Sequence, residues 1–524
     1  LYRSEAPTKG VNYDKATYRM NMTSEVTNRW SIKGGLSGSF QRSSNFLGGS
    51  YFGNPIRAMY RLAPWLPIYK ADGKTYELGY NNGYNPVAVI QTTDRNAKTY
   101  DVNANFSTKY KIADGLTFEG TYALDYSHAF STLNYDPRVG SAYIAVGGSI
   151  ENYSQDIINW ITTNMLRYKK EFKSGHTVEV LAGYEAQNRQ DADINIVVNG
   201  ITPGTSTAAG GSSPVVTTGS GTGNRMLSQF LNGNYTFKDK YLFSASGRID
   251  GSSRFGANSR YGFFPAVSGG WILTNEKFLD NNKYVSFLKL RGSYGIVGNA
   301  EIGNFPQLGL YSGDAGYAGV SGTRPSQLAN PNLRWETTKQ MDIGVDFGLL
   351  NNRISGEIDY YNKQTNGLLL NVNVPATSGF TTITKNVGKL ENKGFELVLN
   401  TQNLVGKFKW NTNFNIARNI GKVTDIQAQV IEGGVSSMNR VTEGHPVGVF
   451  YTVEYAGVDP ANGDALFYKN TKNTDGTLDR STTKTYSQAQ RVVIGSPLPK
   501  WTAGVTNTFS YKGVELSVFF NGVF

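Results

Sequence analysis

Between Lys98 and Tyr110 the chain reads KTYDVNANFSTKY, and the character of its side chains alternates. Tyr100, Val102, Ala104, Phe106 and Tyr110 fall on one side of an extended strand, while Asp101, Asn103, Asn105, Ser107 and Lys109 fall on the other. Successive side chains on a strand point to opposite faces, so one face is apolar and the other wet. A single ribbon of this kind suits any half-buried strand. Here the pattern returns along the whole chain in paired segments, joined alternately by tight turns and long polar loops. That combination predicts an all-β fold, a large antiparallel transmembrane β-barrel with short periplasmic turns and long extracellular loops.

The expected hairpins can be placed one by one. Tyr18–Val26 turns into Arg29–Gln41, Lys98–Tyr110 into Leu116–Ala129, Ile157–Phe172 into His176–Asn188, and Met226–Phe237 into Tyr241–Ser253. Phe263–Leu273 and Val285–Val297 are joined by a short, helix-compatible Thr274–Tyr284. Lys339–Leu349 turns into Arg353–Lys363, Gly394–Asn403 into Lys407–Asn419, and Trp501–Tyr511 into Val514–Phe524. Gly, Asn and Asp at the turns supply the positive φ that tight hairpins need. The other connections are Arg42–Ala97, Phe130–Asp156, Arg189–Arg225, Arg254–Gly262, Gly298–Thr338, Gln364–Lys393 and Ile420–Lys500. Val447–Tyr455 also reads as a strand. If it crossed the membrane, the Lys512-Gly513 turn would fall on the long-loop side, so parity assigns it to the loop system and leaves about sixteen crossing strands.

The charges decide which face is which. In Lys339–Leu349, Met341, Ile343, Val345 and Phe347 alternate with Gln340, Asp342, Gly344 and Asp346. A charge at a lipid-facing midplane costs about 2–4 kcal/mol, so the carboxylates belong to the interior. Trp30, Tyr110, Tyr168, Tyr235, Tyr241 and Trp501, near strand ends, suit an interfacial girdle. Composition agrees: Gly is 60 of 524 residues, above the usual ~7%, and Tyr 32 and Phe 27 accompany a mean hydropathy of −0.37. No apolar run reaches the ~18 residues of a transmembrane helix. Leu1–Gly10 lacks the charged start and apolar stretch of a signal peptide. An outer-membrane protein must be exported, so a fragment is expected, and Val514–Phe524 stops within a strand-like run.

The stretch from Gly247 to Phe305 reads GRIDGSSRFGANSRYGFFPAVSGGWILTNEKFLDNNKYVSFLKLRGSYGIVGNAEIGNF. It resembles the signature region of the SusC/RagA family, TonB-dependent transporters of the Bacteroidota outer membrane. Asn85–Asp94, Asn330–Leu370, Thr377–Asn400, Gly444–Val458 and Ser496–Gly522 are similar to further family segments, in the same order. The resemblance implies a 22-stranded barrel around a plug. It also implies a SusD-like surface lipoprotein as partner, and import of a bulky nutrient, a glycan or peptide, driven through TonB-ExbB-ExbD. On that reading residues 1–524 are a partial barrel, without plug, TonB box or closing strands. The competing reading is a SusC-like structural subunit of a larger outer-membrane assembly or secretion machine, with other complex subunits as partners, because fold does not fix function.

Little in the chain points to catalysis. His128, His176 and His445 have no partner spacing for zinc and read as isolated solvated or girdle residues. No Ser/His/Asp constellation lies on neighbouring strands, so no enzyme is expected. The absence of cysteine excludes disulfides and thiolate metal sites. The net charge of +11 is dispersed, which argues against nucleic acid and suits solvated surface or anionic lipid head groups. Gly210–Gly223 lacks a phosphate-loop lysine and reads as a flexible loop. Asp459, Asn462 and Asp464, and then Asn473, Asp475 and Asp479, carry oxygen ligands of the kind calcium takes. They lack the twelve-residue loop spacing, so they read as turn residues and no cofactor is expected. The loop Gly48–Tyr84 is the ligand- or partner-binding candidate. It offers Tyr51, Arg57, Tyr60, Arg61, Trp65 and Tyr69, with Phe52, Tyr80 and Tyr84 beside them. Flat aromatic faces stack on sugars or pack against peptide side chains, and guanidinium groups offer fixed donors. The same residues would equally fold a large loop or hold a partner protein.

Overall fold

The computed structural model describes residues 1–45, 52–280, 282–427 and 430–524, and the backbone alone at residue 435. Its main antiparallel sheet contains seventeen strands. In chain order they are β1 (Tyr2–Glu5), β2 (Asn12–Thr27), β3 (Trp30–Asn45), β4 (Asp94–Ala113), β5 (Leu116–Tyr135) and β6 (Ser149–Glu171). Then come β7 (His176–Ile201), β8 (Gly211–Phe237), β9 (Tyr241–Ser252), β10 (Tyr261–Ile272), β11 (Val285–Asn299) and β12 (Glu336–Leu349). The last are β13 (Ile354–Asn366), β14 (Lys389–Val405), β15 (Phe408–Asp425), β16 (Thr502–Tyr511) and β17 (Val514–Val523). From β2 onward each strand overlaps one expected crossing segment, in order. Val449–Val453 is a strand too, and it pairs with Arg491–Gly495 in a separate four-stranded sheet of the long loop, as parity requires.

Many strands outrun the ~9–11 residues that cross a bilayer. β4 and β5 have 20 residues each, β7 has 26 and β8 has 27. The extra length corrects one expectation: Gly210–Gly223 is almost entirely the first half of β8, not a flexible loop. A strand beyond the lipid needs only its backbone ladder, so Gly, Ser and Thr can continue it without any apolar face. Among the described residues of the expected helical connector Thr274–Tyr284, the helical part is a 3-10 turn, Leu273–Asn275, which begins one residue earlier.

Two compact units divide the chain. One holds Leu1–Arg167 and Gly183–Ser228, the other Tyr168–Ala182 and Gln229–Phe524. In the first, β1 to β5 form a continuous meander with Trp30 opposite Tyr110, Phe40 opposite Tyr100, and Phe106 opposite Tyr122. One face carries these aromatic and apolar residues outward, with Met20 66% exposed. The opposite face carries a hydrogen-bond network on Asp101, which accepts from Ser39 Oγ and Gln41 Nε2 at 2.8 Å each and from Ser127 Oγ at 2.8 Å.

The second unit repeats the arrangement from β9 to β17, with Phe243 and Ile343 more than half exposed on the apolar face. Its wet face is organised by Arg291. The guanidinium donates from Nε to Asp346 Oδ1 at 2.8 Å and from Nη2 to Asp359 Oδ2 at 2.7 Å, and Nη1 lies 3.4 Å from Asp342 Oδ1. Gly344 stands between Arg291 and Asp359 in the cross-strand row. A Cβ there would lie 2.4 Å from Asp359 Oδ1 and 2.6 Å from Arg291 Cζ, so a side chain at this position would push the carboxylate and guanidinium out of their present arrangement. Tight turns between strands use the left-handed backbone: φ is 80° at Gly115, 53° at Asp239, 58° at Asn351 and 86° at Gly513.

The two faces make opposite predictions for one charge. Leu124 lies on the apolar face opposite Ala104, and Ala123 lies on the wet face opposite Asn105. Leu124→Lys should lower unfolding stability in lipid bilayers by about 2–4 kcal/mol, with a much smaller loss for Ala123→Lys. Denaturant titration of both variants checks the assignment, and equal losses would contradict it.

Candidate functional site

In the first unit, the loop between β3 and β4 is built around two asparagine-proline pairs. Asn54 caps helix α1 (Pro55–Met59), and Asn85 caps helix α2 (Pro86–Thr92). A polar cap followed by proline favours helix initiation, because the side chain satisfies the first amides and proline has no amide to satisfy. Asn85 does more. It is fully buried, its Oδ1 accepts from the amides of Val87 and Ala88 at 3.0 and 3.3 Å, and its Nδ2 donates to the carbonyls of Ile68 and Glu77 at 2.8 and 3.1 Å. One side chain thereby starts the helix and pins the segment Ile68–Glu77 to it.

A second loop, between β5 and β6, closes onto the first. It contains the short helix α3 (Ser141–Ala145). Tyr84, Ala88, Val89 and Val139 form a buried apolar cluster, with Phe52, Tyr76, Leu133, Tyr135 and Tyr143 packed around it. Tyr135 and Tyr143 stack with ring centroids 3.8 Å apart, and Tyr84 meets Tyr143 edge-on at 6.3 Å. Burial therefore pushes the Tyr84 and Tyr143 hydroxyls above the ordinary tyrosine range. The amide of Gly140 donates to Gly83 O at 2.8 Å, and Ser141 Oγ donates to Asn82 O at 2.8 Å. Burial alone would raise the Asp136 carboxyl, but Arg138 donates to both of its oxygens at 2.8 Å and holds it below the usual carboxylate range.

This anchored base displays most of the expected binding residues. Tyr60 is 86% exposed and Trp65 81% exposed, with Arg57 on α1 also at the surface. Tyr69 stacks on Tyr76 at 5.4 Å, and the guanidinium of Arg61 lies 5.4 Å from the centre of the Phe52 ring. Tyr80 donates its hydroxyl to Pro67 O at 3.0 Å, and Tyr84 is buried, so these two build the loop. Tyr51 lies outside the described residues. Sequence reasoning missed the anchors Asn85, Val139 and Tyr143. The Asn-Pro pairs were the available signal for the first of them.

A comparable weld joins two loops of the second unit. Phe255 and Leu333 are fully buried, and Phe255 packs on Trp335 at 4.8 Å. Gly256 donates its amide to Leu333 O at 2.9 Å, and a Cβ on Gly256 would lie 1.9 Å from Pro331 O. Trp335 Nε1 donates to Arg260 O at 3.0 Å. In the long loop after β15, Lys484 Nζ lies 2.6 Å from Asp459 Oδ2 and 3.3 Å from Asp464 Oδ2. Its ammonium group and the Ala461 amide hold Asp459 below the usual carboxylate range. Asp475 and Asp479 accept from the amides of Thr477 and Ser481 at 2.9 and 2.8 Å, which is ordinary Asx-turn chemistry. His128 is not isolated: its Nδ1 lies 2.9 Å from Asp156 Oδ1. His176 Nδ1 lies 2.7 Å from the Tyr235 hydroxyl.

A two-faced antiparallel ladder of long strands with long loops is the pattern of outer-membrane β-barrel proteins. Residues 29–522 match the family described as TonB dependent receptor-like, beta-barrel, and the chain belongs to that family. It is 31% identical to TonB-dependent receptor P3 of Formosa agariphila over 97% of this chain and 53% of that protein. It is 28% identical to TonB-dependent receptor SusC of Bacteroides thetaiotaomicron over 84% of this chain and 45% of that protein. Among solved structures, the RagAB peptide transporter is similar with a TM-score of 0.83 at 25% identity, covering 98% of this chain and 58% of that one. The same importer in its open-open state gives 0.85. The chain thus spans about half the length of the curated relatives it matches.

Asn85 separates two functions that one substitution can divide. Asn85→Ala leaves buried amides and carbonyls unpaired, at about 1–3 kcal/mol each. Asn85→Asp keeps the helix cap and loses both donations. Hydrogen exchange should therefore speed up in Ile68–Glu77 for both variants, but in Val87 and Ala88 for Asn85→Ala alone.

Proposed function

We propose that this chain is the barrel of a TonB-dependent importer for a bulky nutrient, a glycan or a peptide. In this reading the remaining half of the protein supplies the plug, the TonB-contacting segment and the closing strands. A SusD-like surface lipoprotein covers the long-loop rim and delivers ligand. The observation that carries the reading is the anchored loop base in the first unit, with exposed aromatics above a rigid, buried foundation. Binding surfaces gain most from side chains that lose little freedom on contact, and Tyr and Trp held on a fixed base meet that condition. Family membership and the likeness to a peptide transporter support the same reading.

The mechanism follows from the division of labour between faces and loops. Tyr60, Trp65 and Tyr69 present flat faces to a sugar ring or a peptide side chain, and Arg57 supplies directed donors to its polar groups. The wet face of each unit, with the Asp101 network in the first and the Arg291 network in the second, presents fixed donors and acceptors to the plug and to passing ligand. Energy enters by traction on the plug, which lies in the remainder of the protein.

The full-length protein, expressed in a strain lacking its own copy, provides the test. The double variant Tyr60→Ala/Trp65→Ala should keep its outer-membrane level and lose uptake of the nutrient by about tenfold or more, the scale of one interface hot spot. Loss of TonB should abolish uptake by the unaltered protein. Unchanged uptake in both experiments, with a set of assembly-machine subunits co-purifying in place of one lipoprotein, would contradict import.

A further inference from the structure

Two tight turns of the second unit lie side by side and carry an unbalanced charge. The end of β6 and its turn read Lys169-Lys170-Glu171-Phe172-Lys173, and the end of β8 and its turn read Phe237-Lys238-Asp239-Lys240. They are clasped by the Lys238 amide, which donates to Gly175 O at 2.7 Å, while Phe172 donates its amide to His176 O at 2.8 Å. Two of the five lysines are neutralised: Lys169 Nζ lies 2.8 Å from Glu171 Oε1, and Lys240 Nζ lies 3.1 Å from Glu276 Oε2. Lys170, Lys173 and Lys238 have no carboxylate partner among the described residues, and all three are exposed. Asp239 is the remaining carboxylate in the two turns, so the corner stays cationic.

The position of these lysines relative to the lipid-facing row is specific. Lys170 continues the row of Tyr168, two residues further along the same face of β6. Its Nζ lies 5.1 Å from the centre of the Phe172 ring, and Lys238 Nζ lies 5.0 Å from that of Phe237. Beside them runs a continuous aromatic ledge. His176 stacks on Phe237 at 4.5 Å, Phe237 on Tyr241 at 6.2 Å, and Tyr241 on Trp271 at 6.4 Å. Glu276 fixes the end of this ledge, accepting from the Tyr241 hydroxyl at 2.6 Å and from Trp271 Nε1 at 3.2 Å. An aromatic ledge marks the depth of the bilayer interface, and tight turns mark the periplasmic side.

We propose that this corner binds an anionic phospholipid of the inner leaflet. Its phosphodiester sits among the ammonium groups of Lys170, Lys173 and Lys238, and its acyl chains lie along the row of Tyr168. Three cations at the edge of an aromatic belt match a monoanionic headgroup held at that depth, since each lysine near an anionic surface strengthens attachment about fivefold. The site lies on the membrane side of the tight turns, away from the long loops, and does not depend on the nature of the imported nutrient.

Native mass spectrometry of the full-length detergent-solubilised protein, offered equimolar phosphatidylglycerol and phosphatidylcholine, tests the site. The unaltered protein should retain phosphatidylglycerol in at least about fivefold preference. Lys170→Gln/Lys173→Gln/Lys238→Gln should bring the ratio close to one, and the triple arginine variant should restore it. Heat-modifiable migration on gels verifies that each variant is folded, and Lys472→Gln/Lys74→Gln, on the long-loop side, should leave the preference unchanged. No preference in the unaltered protein, or preference surviving in the glutamine variant, would overturn the proposal. Displacement of the lipid by millimolar inorganic phosphate would overturn the assignment to a lipid and leave a phosphate site.

Discussion

Lipid offers no hydrogen-bond partner to a backbone amide or carbonyl, and that absence sets the architecture of this chain. Each unsatisfied group inside a bilayer costs several kcal/mol, so a chain that crosses with strands must pair every crossing strand with its neighbours. The long antiparallel ladders of both units are the answer to that requirement. With the backbone committed to the ladder, the side chains have two faces to fill. Tyr100, Phe106 and Leu124 take the lipid face, while Asp101, Ser127 and Asn105 take the other. The hydrophobic effect works here in an unusual direction, because the apolar residues are the exposed ones and the polar residues are linked to one another behind them.

The same constraint explains where the charges are. Arg291 is linked to Asp342, Asp346 and Asp359 across three strands, and Gly344 clears the space for it. Lys109, Arg167 and Lys289 likewise lie within ion-pair distance of carboxylates, Glu119 for the first two and Asp346 for the third. At the tight turns, Lys170, Lys173 and Lys238 have no carboxylate partner among the described residues. On the long-loop side the backbone is free of the ladder requirement. Order there comes instead from small buried clusters, such as Tyr84 with Val139 and Phe255 with Leu333.

Legibility in the sequence followed the same division. Alternation is imposed wherever lipid lies on one side, so Lys98–Tyr110 and its counterparts could be read and paired, and parity could place Val449–Val453 in the loops. The first half of β8 was not legible, since Gly211–Gly223 faces water on both sides and carries no period that sequence could reveal. Links between distant positions were also hidden. Arg291 meets Asp359 because of register, and register between strands 68 residues apart is not written in either segment. In the candidate platform, the exposed Tyr60 and Trp65 were legible as an aromatic-rich loop. Their foundation was not, because Asn85 and Tyr143 act through contacts between two separate loops.

One face of this ladder meets lipid and the other meets water. The chain contains no cysteine, so a single introduced cysteine can carry a nitroxide label at each position from Tyr100 to Tyr110 without background. Electron paramagnetic resonance in lipid bilayers then compares quenching by oxygen, which concentrates in lipid, with quenching by a water-soluble nickel chelate. Oxygen maxima should fall at Tyr100, Val102, Ala104, Phe106 and Tyr110, alternating with nickel maxima at Asp101, Asn103, Asn105, Ser107 and Lys109. Absence of the two-residue period, or its inversion, would contradict this assignment of faces.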